Sequence, residues 1–411
     1  MGGPETSPRA AYIFSVMFFF VLLSLMTGGD LAWWWWADRK VRTLPSKKLL
    51  RALVAAFVLM QLSYLVYFVA MPRTARRVHV PVPYLSIVYI WHLLVLPGWL
   101  MLAPLTSAVN WLRRRTTKSV ETPATENQLS RRQFLTATAV GAAPLAAVAT
   151  MGWSLPQLDH FRIRKIELPI PGLPRDLDGL RIAHVSDLHV GRYTHGRILA
   201  KVAEATNQLH SDLVLFTGDL IDLSISDLDP ALDTLRQIDP KYGLFLVEGN
   251  HDLIDDADSF DARTKAAGFN LLIDESATVH VKGRDVQILG TRWGQVEGDR
   301  RKAGDHAYAA SVAWLTPQRQ PDAFPILLAH HPHAFDPAAQ ANLPLILSGH
   351  THGGLLNLTP NIGMGPAMFR YWSGVYEKPG SKLVVNNGVG NWFPLRVNAP
   401  AEIIDLTLRV G

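Results

Sequence analysis

The chain contains no cysteine among its 411 residues. This excludes disulfides, zinc-thiolate centres and thiol nucleophiles, so any metal must be held by His, Asp, Glu or Asn. Acidic residues are scarce in the first 153 positions, which carry 16 Lys and Arg against 5 Asp and Glu, a balance of +11. The rest carries 24 against 30, a balance of −6. The formal net charge of +5 therefore belongs to the front segment, where it lies between apolar runs. On that distribution no nucleic-acid partner is expected, and membrane topology accounts for the excess of positive charge.

Long stretches of the front segment lack charge altogether. None falls between Arg9 and Asp30, and YIFSVMFFFVLLSLM is apolar on every helical face. A membrane-crossing helix needs roughly 20 such residues. The pattern predicts about four, over about 11–29, 52–72, 83–109 and 133–153. The fourth contains Pro144 and is rich in Ala, Thr and Gly, so a buried helix or a signal-peptide core competes with a span there. Trp33 to Trp36 read as an interfacial belt, and His92, alone within the third run, is poor support for a transporter. Lys and Arg crowd the loops after the first and third runs, which places those loops in the cytoplasm. The expected organisation is a membrane anchor over 1–154 and a soluble domain over 155–411 on the extracytoplasmic (periplasmic) face of the cytoplasmic membrane.

Just before the fourth run stands SRRQFLT, Ser130 to Thr136. Arg131 and Arg132 read as a twin-arginine export signal, making the export machinery a partner, or as a plain positive flank; both readings put the C-terminal part on the same side. Ala147-Val-Ala149 looks like a cleavage site, but the tether is expected to remain.

From Phe161 short apolar runs alternate with helical segments, an α/β layout. The predicted strands are 181–186, 212–217, 243–248, 285–290, 325–330, 344–349, 382–387 and 403–408. Helices are predicted around 197–209, 230–238 and 257–267. Five strand ends run into polar clusters: Asp187-Leu-His189, Gly218-Asp219-Leu-Ile-Asp222, Gly249-Asn250-His251-Asp252, His330-His331-Pro332 and Gly349-His350-Thr-His352-Gly-Gly354. In open α/β sheets, ligand sites form where strand carboxyl ends converge. Oxygen and imidazole groups without sulfur suit Mn, Zn, Fe or Co. Any one cluster has an ordinary reading as a turn, a helix cap or a loop hydrogen-bond pair; the ordered set does not. His184, in mid-strand, is assigned to the core, and His160, His210, His280 and His306 to the surface. Arg192 and His195 are read either as phosphate contacts or as a solvated helix start.

The ordered blocks D-x-H, G-D-x-x-D, G-N-H-D, a His before x-Pro and G-H-x-H resemble the calcineurin-like metallophosphoesterase family. The stretch NNGVGNWFPLRVNAPAEI (386–403) is similar to the tail of its membrane-associated, YaeI/YkuE-like branch, although Asn386 and Asn387 stand where that branch usually has Ser or Arg before its Gly-x-Gly. The resemblance implies a four-layer αββα sandwich. It also implies two divalent metal ions, one held by Asp187, His189 and His352 and the other by Asn250, His330 and His350, with Asp219 bridging. A water trapped between such cations is deprotonated near neutral pH and attacks phosphorus in line. The resemblance further implies that His251 faces the leaving oxygen, with Asp252 orienting it, and that Asp222 and His331 stand outside the ligand set. The expected function is hydrolysis of a phosphodiester or pyrophosphate in a lipid-like envelope substrate, for example a UDP-diacylglucosamine-type lipid or a phospholipid. The alternative is a non-catalytic membrane sensor or scaffold, which a degraded ligand set would signal.

Overall fold

A computed structural model describes residues 8–70, 80–116, 126–294, 305–359 and 361–411. The chain divides into two compact units, Met1–Trp153 and Ser154–Gly411.

Unit 1 is helical: α1 (Pro8–Val41), α2 (Lys47–Ala70), α3 (Val82–Ile90), α4 (Leu96–Thr116) and α5 (Glu126–Ser154), whose last residue opens unit 2. Three stretches among the described residues are long and apolar enough to cross a membrane: Lys47–Val69, Val82–Val109 and Gln133–Asp159. The first predicted span falls within α1, whose early side chains lie mostly outside the described residues. The four consecutive tryptophans do not form a uniform belt. They follow one another on a helix and so point in different directions, which buries Trp33 completely and leaves Trp35 exposed. Trp33 packs edge-on against Trp91, with ring centroids 5.0 Å apart, and Phe57 completes the cluster. Asp30 is buried: its carboxylate accepts from Trp91 Nε1 (2.7 Å) and meets His92 Nε2 at 3.0 Å. Trp91 and His92 open a π-helical turn, Trp91–Val95, between α3 and α4.

Unit 2 is a mixed α/β sandwich of two six-stranded sheets. The first runs β1 (Phe161–Ile170), β14 (Ala401–Val410), β2 (Arg181–Val185), β3 (Leu213–Phe216), β4 (Leu244–Leu246) and β5 (Asn270–Leu271). The second runs β12 (Gly374–Lys378), β13 (Ser381–Val385), β9 (Leu345–Ser348), β8 (Phe324–Leu328), β7 (Arg284–Gly290) and β6 (Glu275–Val281). Between them lies a core built from residues such as Ile182, Leu215, Val247, Ile326, Leu347 and Leu406. Helices α6 (Arg197–Gln208), α7 (Leu228–Arg236) and α8 (Ala257–Ala266) cover the outer face of the first sheet. On the second sheet that place is taken by α9 (Asp305–Leu315) and α10 (Phe335–Gln340). The remaining elements are a hairpin of β10 (Asn357–Thr359) and β11 (Ile362–Gly363) and the short helix α11 (Met364–Met368).

The site-bearing strands are buried on both faces, which is why they read as apolar runs with no alternation. In α6, by contrast, Leu199, Val202, Ala203 and Thr206 repeat at helical spacing and face the sheet. Strands β2, β3 and β4 are parallel, as are β7, β8, β9 and β13, so each sheet delivers its carboxyl ends to one edge.

Candidate metal centre

Each polar cluster begins where a fully buried strand stops, and the two sheets bring these ends together. The Asp187 amide bonds to Gly218 O at 2.9 Å, and the Gly349 amide to His330 O at 3.0 Å. The His350 N–H donates across the sheets to both Asp187 oxygens, at 3.0 and 3.1 Å. Such close approach requires glycine: a Cβ on Gly349 would overlap Ser186 and the Asp187 carboxylate. Five of the expected ligands, Asp187, His189, Asp219, His350 and His352, hold left-handed backbone with φ between 46° and 72°. L-residues adopt this region at a cost of about 1–3 kcal/mol each, which the surrounding structure must offset.

Three groups of candidate ligand atoms result, each with its atoms within 4.8 Å of one another. Asp187, His189 and His352 form the first, Asp219, His330 and His350 the second, and His189, Asp222 and His251 a third that shares His189 with the first. In the first, His352 Nε2 lies 3.2 Å from Asp187 Oδ1 and 3.0 Å from His189 Nε2. In the second, His330 Nε2 lies 3.1 Å from Asp219 Oδ2 and 3.3 Å from His350 Nδ1. Asp219 Oδ2 is also 3.4 Å from His189 Nε2, so this one carboxylate stands between the clusters. Asn250 sits in the adjoining turn, and its buried Oδ1 has no hydrogen-bond partner among the described residues.

The donor set fits divalent cations. His330 donates its Nδ1 proton to Thr217 O (2.6 Å), which leaves Nε2 directed at Asp219 and His350. Pairs of imidazole nitrogens facing each other at 3.0–3.3 Å need a proton or a cation to relieve lone-pair repulsion. The orphaned Asn250 oxygen is a further ligand without a partner. Charge tells the same story. Burial disfavours charge on His330, but Asp219 outweighs it and raises the imidazole to about 9, a proton standing where a cation would. Burial pushes His350 down to about 3 and His352 to about 4, so both imidazoles are uncharged. Burial works to raise Asp187, yet the neighbouring histidines hold it well below the usual carboxylate range.

His251 lies beside the ligand set, its ring 4.5 Å from that of His189. Its Nδ1 donates to Asp222 O at 2.8 Å and lies 3.2 Å from Asp222 Oδ1. Burial opposes its charged form, but Asp219 and Asp222 together raise it to about 9. The orienting role expected of Asp252 thus falls to Asp222. The Asp252 carboxylate is taken up by the N–H groups of Asp219, Leu220, Ile221 and Gly249, at 2.8–3.0 Å, and its work is to shape the turns that carry Asp219 and Asn250. His184 is buried against Thr217 Oγ1 at 2.9 Å, as a core residue. His195 bonds to Gly191 O through Nδ1, and His160, His210 and His280 are exposed; the side chain of His306 lies outside the described residues.

Motif reading passed over two features. Trp293 packs on the rings of His330 (5.2 Å) and His350 (5.0 Å), walling the second cluster. Arg396, within NWFPLRVN, is a fully buried guanidinium. It donates to Asn391 Oδ1 (2.6 Å), to the carbonyls of Asn387 and Ala399 (3.0 Å each) and Gly390 (2.7 Å), and to His352 Nδ1 (2.9 Å). The signal was a lone Arg in an apolar and amide-rich stretch, but nothing in its spacing marked it as a neighbour of His352.

Residues 180–354, which carry these clusters, match the sequence model described as Calcineurin-like phosphoesterase. The chain is 29% identical over 298 residues to "Uncharacterized metallophosphoesterase YkuE" of Bacillus subtilis, covering 69% of this chain and 98% of that protein. It is 29% identical over 253 residues to "Transmembrane protein with metallophosphoesterase domain" of Danio rerio, covering 60% of this chain and 57% of that one. A metallophosphoesterase of Campylobacter jejuni, described as uncharacterized, shares 29% identity over 250 residues, 60% of this chain and 63% of its own length. The chain thus spans less than two thirds of the length of the Danio rerio and Campylobacter jejuni proteins. A solved structure, a dimetal phosphatase from Danio rerio, aligns at TM-score 0.32 and 12% identity over 51% of this chain and 88% of that one.

Proposed function

We propose that the protein is a membrane-tethered, dinuclear metal-dependent phosphoesterase. Asp187, His189 and His352 would hold one cation, Asn250, His330 and His350 the other, and Asp219 both. The observation that carries this reading is the Asp219 carboxylate, 3.1 Å from a nitrogen of one cluster and 3.4 Å from a nitrogen of the other. Divalent cations, when bound, supply Lewis acidity and lower the pKa of water for in-line attack on phosphorus. Around them the protein places its own groups. His251, oriented through Nδ1 by Asp222, presents Nε2 as the proton donor to the leaving oxygen. Asp252 holds the two turns in register, and Trp293 shields one side of the second cluster from water.

The apolar helices of unit 1 and the transmembrane-named relatives support membrane association. The distribution of Lys and Arg supports an extracytoplasmic domain, and the tether supports a phosphodiester or pyrophosphate of a lipid-like substrate. Asp219→Asn is the test. With the fold and membrane insertion intact, it should lower metal-dependent hydrolysis of a generic aryl phosphodiester by at least about a hundredfold, the scale lost with one key electrostatic group. Full activity in that variant would sink the mechanism.

A further inference from the structure

Among the described residues of unit 2, eight large apolar side chains are exposed, and their placement is uneven. Leu223 and Ile254 follow the turns that carry Asp219 and Asn250. Leu358, Ile362 and Met368, at 79%, 59% and 62% exposure, lie on the hairpin and α11 that follow His352. Next to α11, the Phe369 ring is 6.1 Å from that of His350. Trp392 stands on the opposite flank, 5.6 Å from His251 and 6.3 Å from His352. Six of the eight therefore sit on loops that follow metal ligands or frame them; Trp314 and Val410 lie elsewhere. A monomer facing water gains nothing by gathering its exposed apolar groups around a polar cleft, and such clustering marks an interaction surface.

What covers this surface is indicated by the lead-in to unit 2. The apolar stretch Gln133–Asp159 ends in residues bonded to the loop that bears Trp392: Ser154 Oγ accepts from the Arg396 N–H at 2.9 Å, and Leu158 O from Asn391 Nδ2 at 2.8 Å. Residues 154–158, the opening of unit 2, are thus fastened to the loop that bears Trp392. Tryptophan, the residue at 392, is a type that settles at the boundary between headgroups and hydrocarbon.

We propose that the surface flanking the candidate metal centre is a lipid-docking surface: Leu358, Ile362, Met368 and Trp392 lie against the bilayer and bring the phosphate ester of a membrane lipid to the side chains of His350 and His251. This rests on the phosphoesterase reading for the chemistry of the group delivered, and on unit 2 alone for the docking.

The chain has no cysteine, so single reporters are easily introduced. The full chain is placed in nanodiscs of phosphatidylcholine and phosphatidylglycerol containing a lipid with a nitroxide near its headgroup. L358C, I362C, M368C and, as a reference, W314C each carry an environment-sensitive fluorophore. Quenching several-fold greater at the three rim positions than at the exposed reference is the expected result. Equal quenching at all four, or none, overturns the proposal and leaves the patch to a protein partner. Hydrolysis of bis(p-nitrophenyl) phosphate by the unsubstituted chain in the same discs is read separately. Its absence would remove the phosphoesterase reading without altering the quenching result.

Discussion

His251 titrates in a field set by carboxylates that would also hold cations. Without metal, Asp219 and Asp222 raise it to about 9. Cations bound at Asp219 cancel the larger attraction, so loading with zinc should move the His251 pKa downward. An imidazole NMR titration of zinc-free and zinc-loaded protein checks the sign; an unchanged value would mean that Asp219 is not a ligand. Arg396 makes a second prediction at this scale. Its removal in Arg396→Ala leaves several buried acceptors unpaired, each costing about 1–3 kcal/mol before relaxation. Thermal stability and cation affinity at the Asp187, His189 and His352 cluster should both fall. Arg396→Lys should not restore them, since an ammonium cannot span acceptors that a planar guanidinium reaches in five directions. Full cation affinity in either variant would contradict a role for Arg396 in holding His352.

The elements divide by how much of their pattern is local. All eight strands expected from apolar runs are present, because a strand buried on both faces cannot hide its composition. β1, β5, β6 and β12 escaped notice, as did the short β10 and β11: the first four lie at sheet edges and are partly exposed, so they lack the continuous apolar run of the inner strands, and β1 in addition owes its place to β14, distant in sequence. The ligand turns were legible for a different reason. Left-handed backbone and close approach restrict them to a few residue types, so glycine and short polar side chains recur in order. In unit 1, Asp30 and His92 were separated by two helices in the sequence, and only packing paired them. Asp30→Ala should lower the thermal stability of the detergent-solubilised chain well beyond the effect of Asp38→Ala. Asp30 satisfies Trp91 and His92 in a buried site, whereas Asp38 pairs with half-exposed arginines, a setting worth about 0–1 kcal/mol.

For the whole molecule, the proposed extracytoplasmic placement of unit 2 turns on α5. Ser130 to Thr136 and Ala147 to Ala149 all lie within the helix α5. Exchanging both Arg131 and Arg132 for Lys preserves charge, so export of unit 2 should stop if a twin-arginine signal operates and continue if the pair is only a positive flank. Protease protection in spheroplasts separates the two outcomes. The sequence by itself determined the apolar stretches, the α/β class and the ordered set of candidate ligands, because each depends on composition or short-range spacing along one segment. Only the tertiary structure decided that Asp222 rather than Asp252 bonds to His251, that Arg396 backs His352, that Asp30 faces His92, and that Trp392 and Phe369 stand beside the candidate ligands. Those relations join side chains from separate segments, and long-range pairing leaves no period in a sequence.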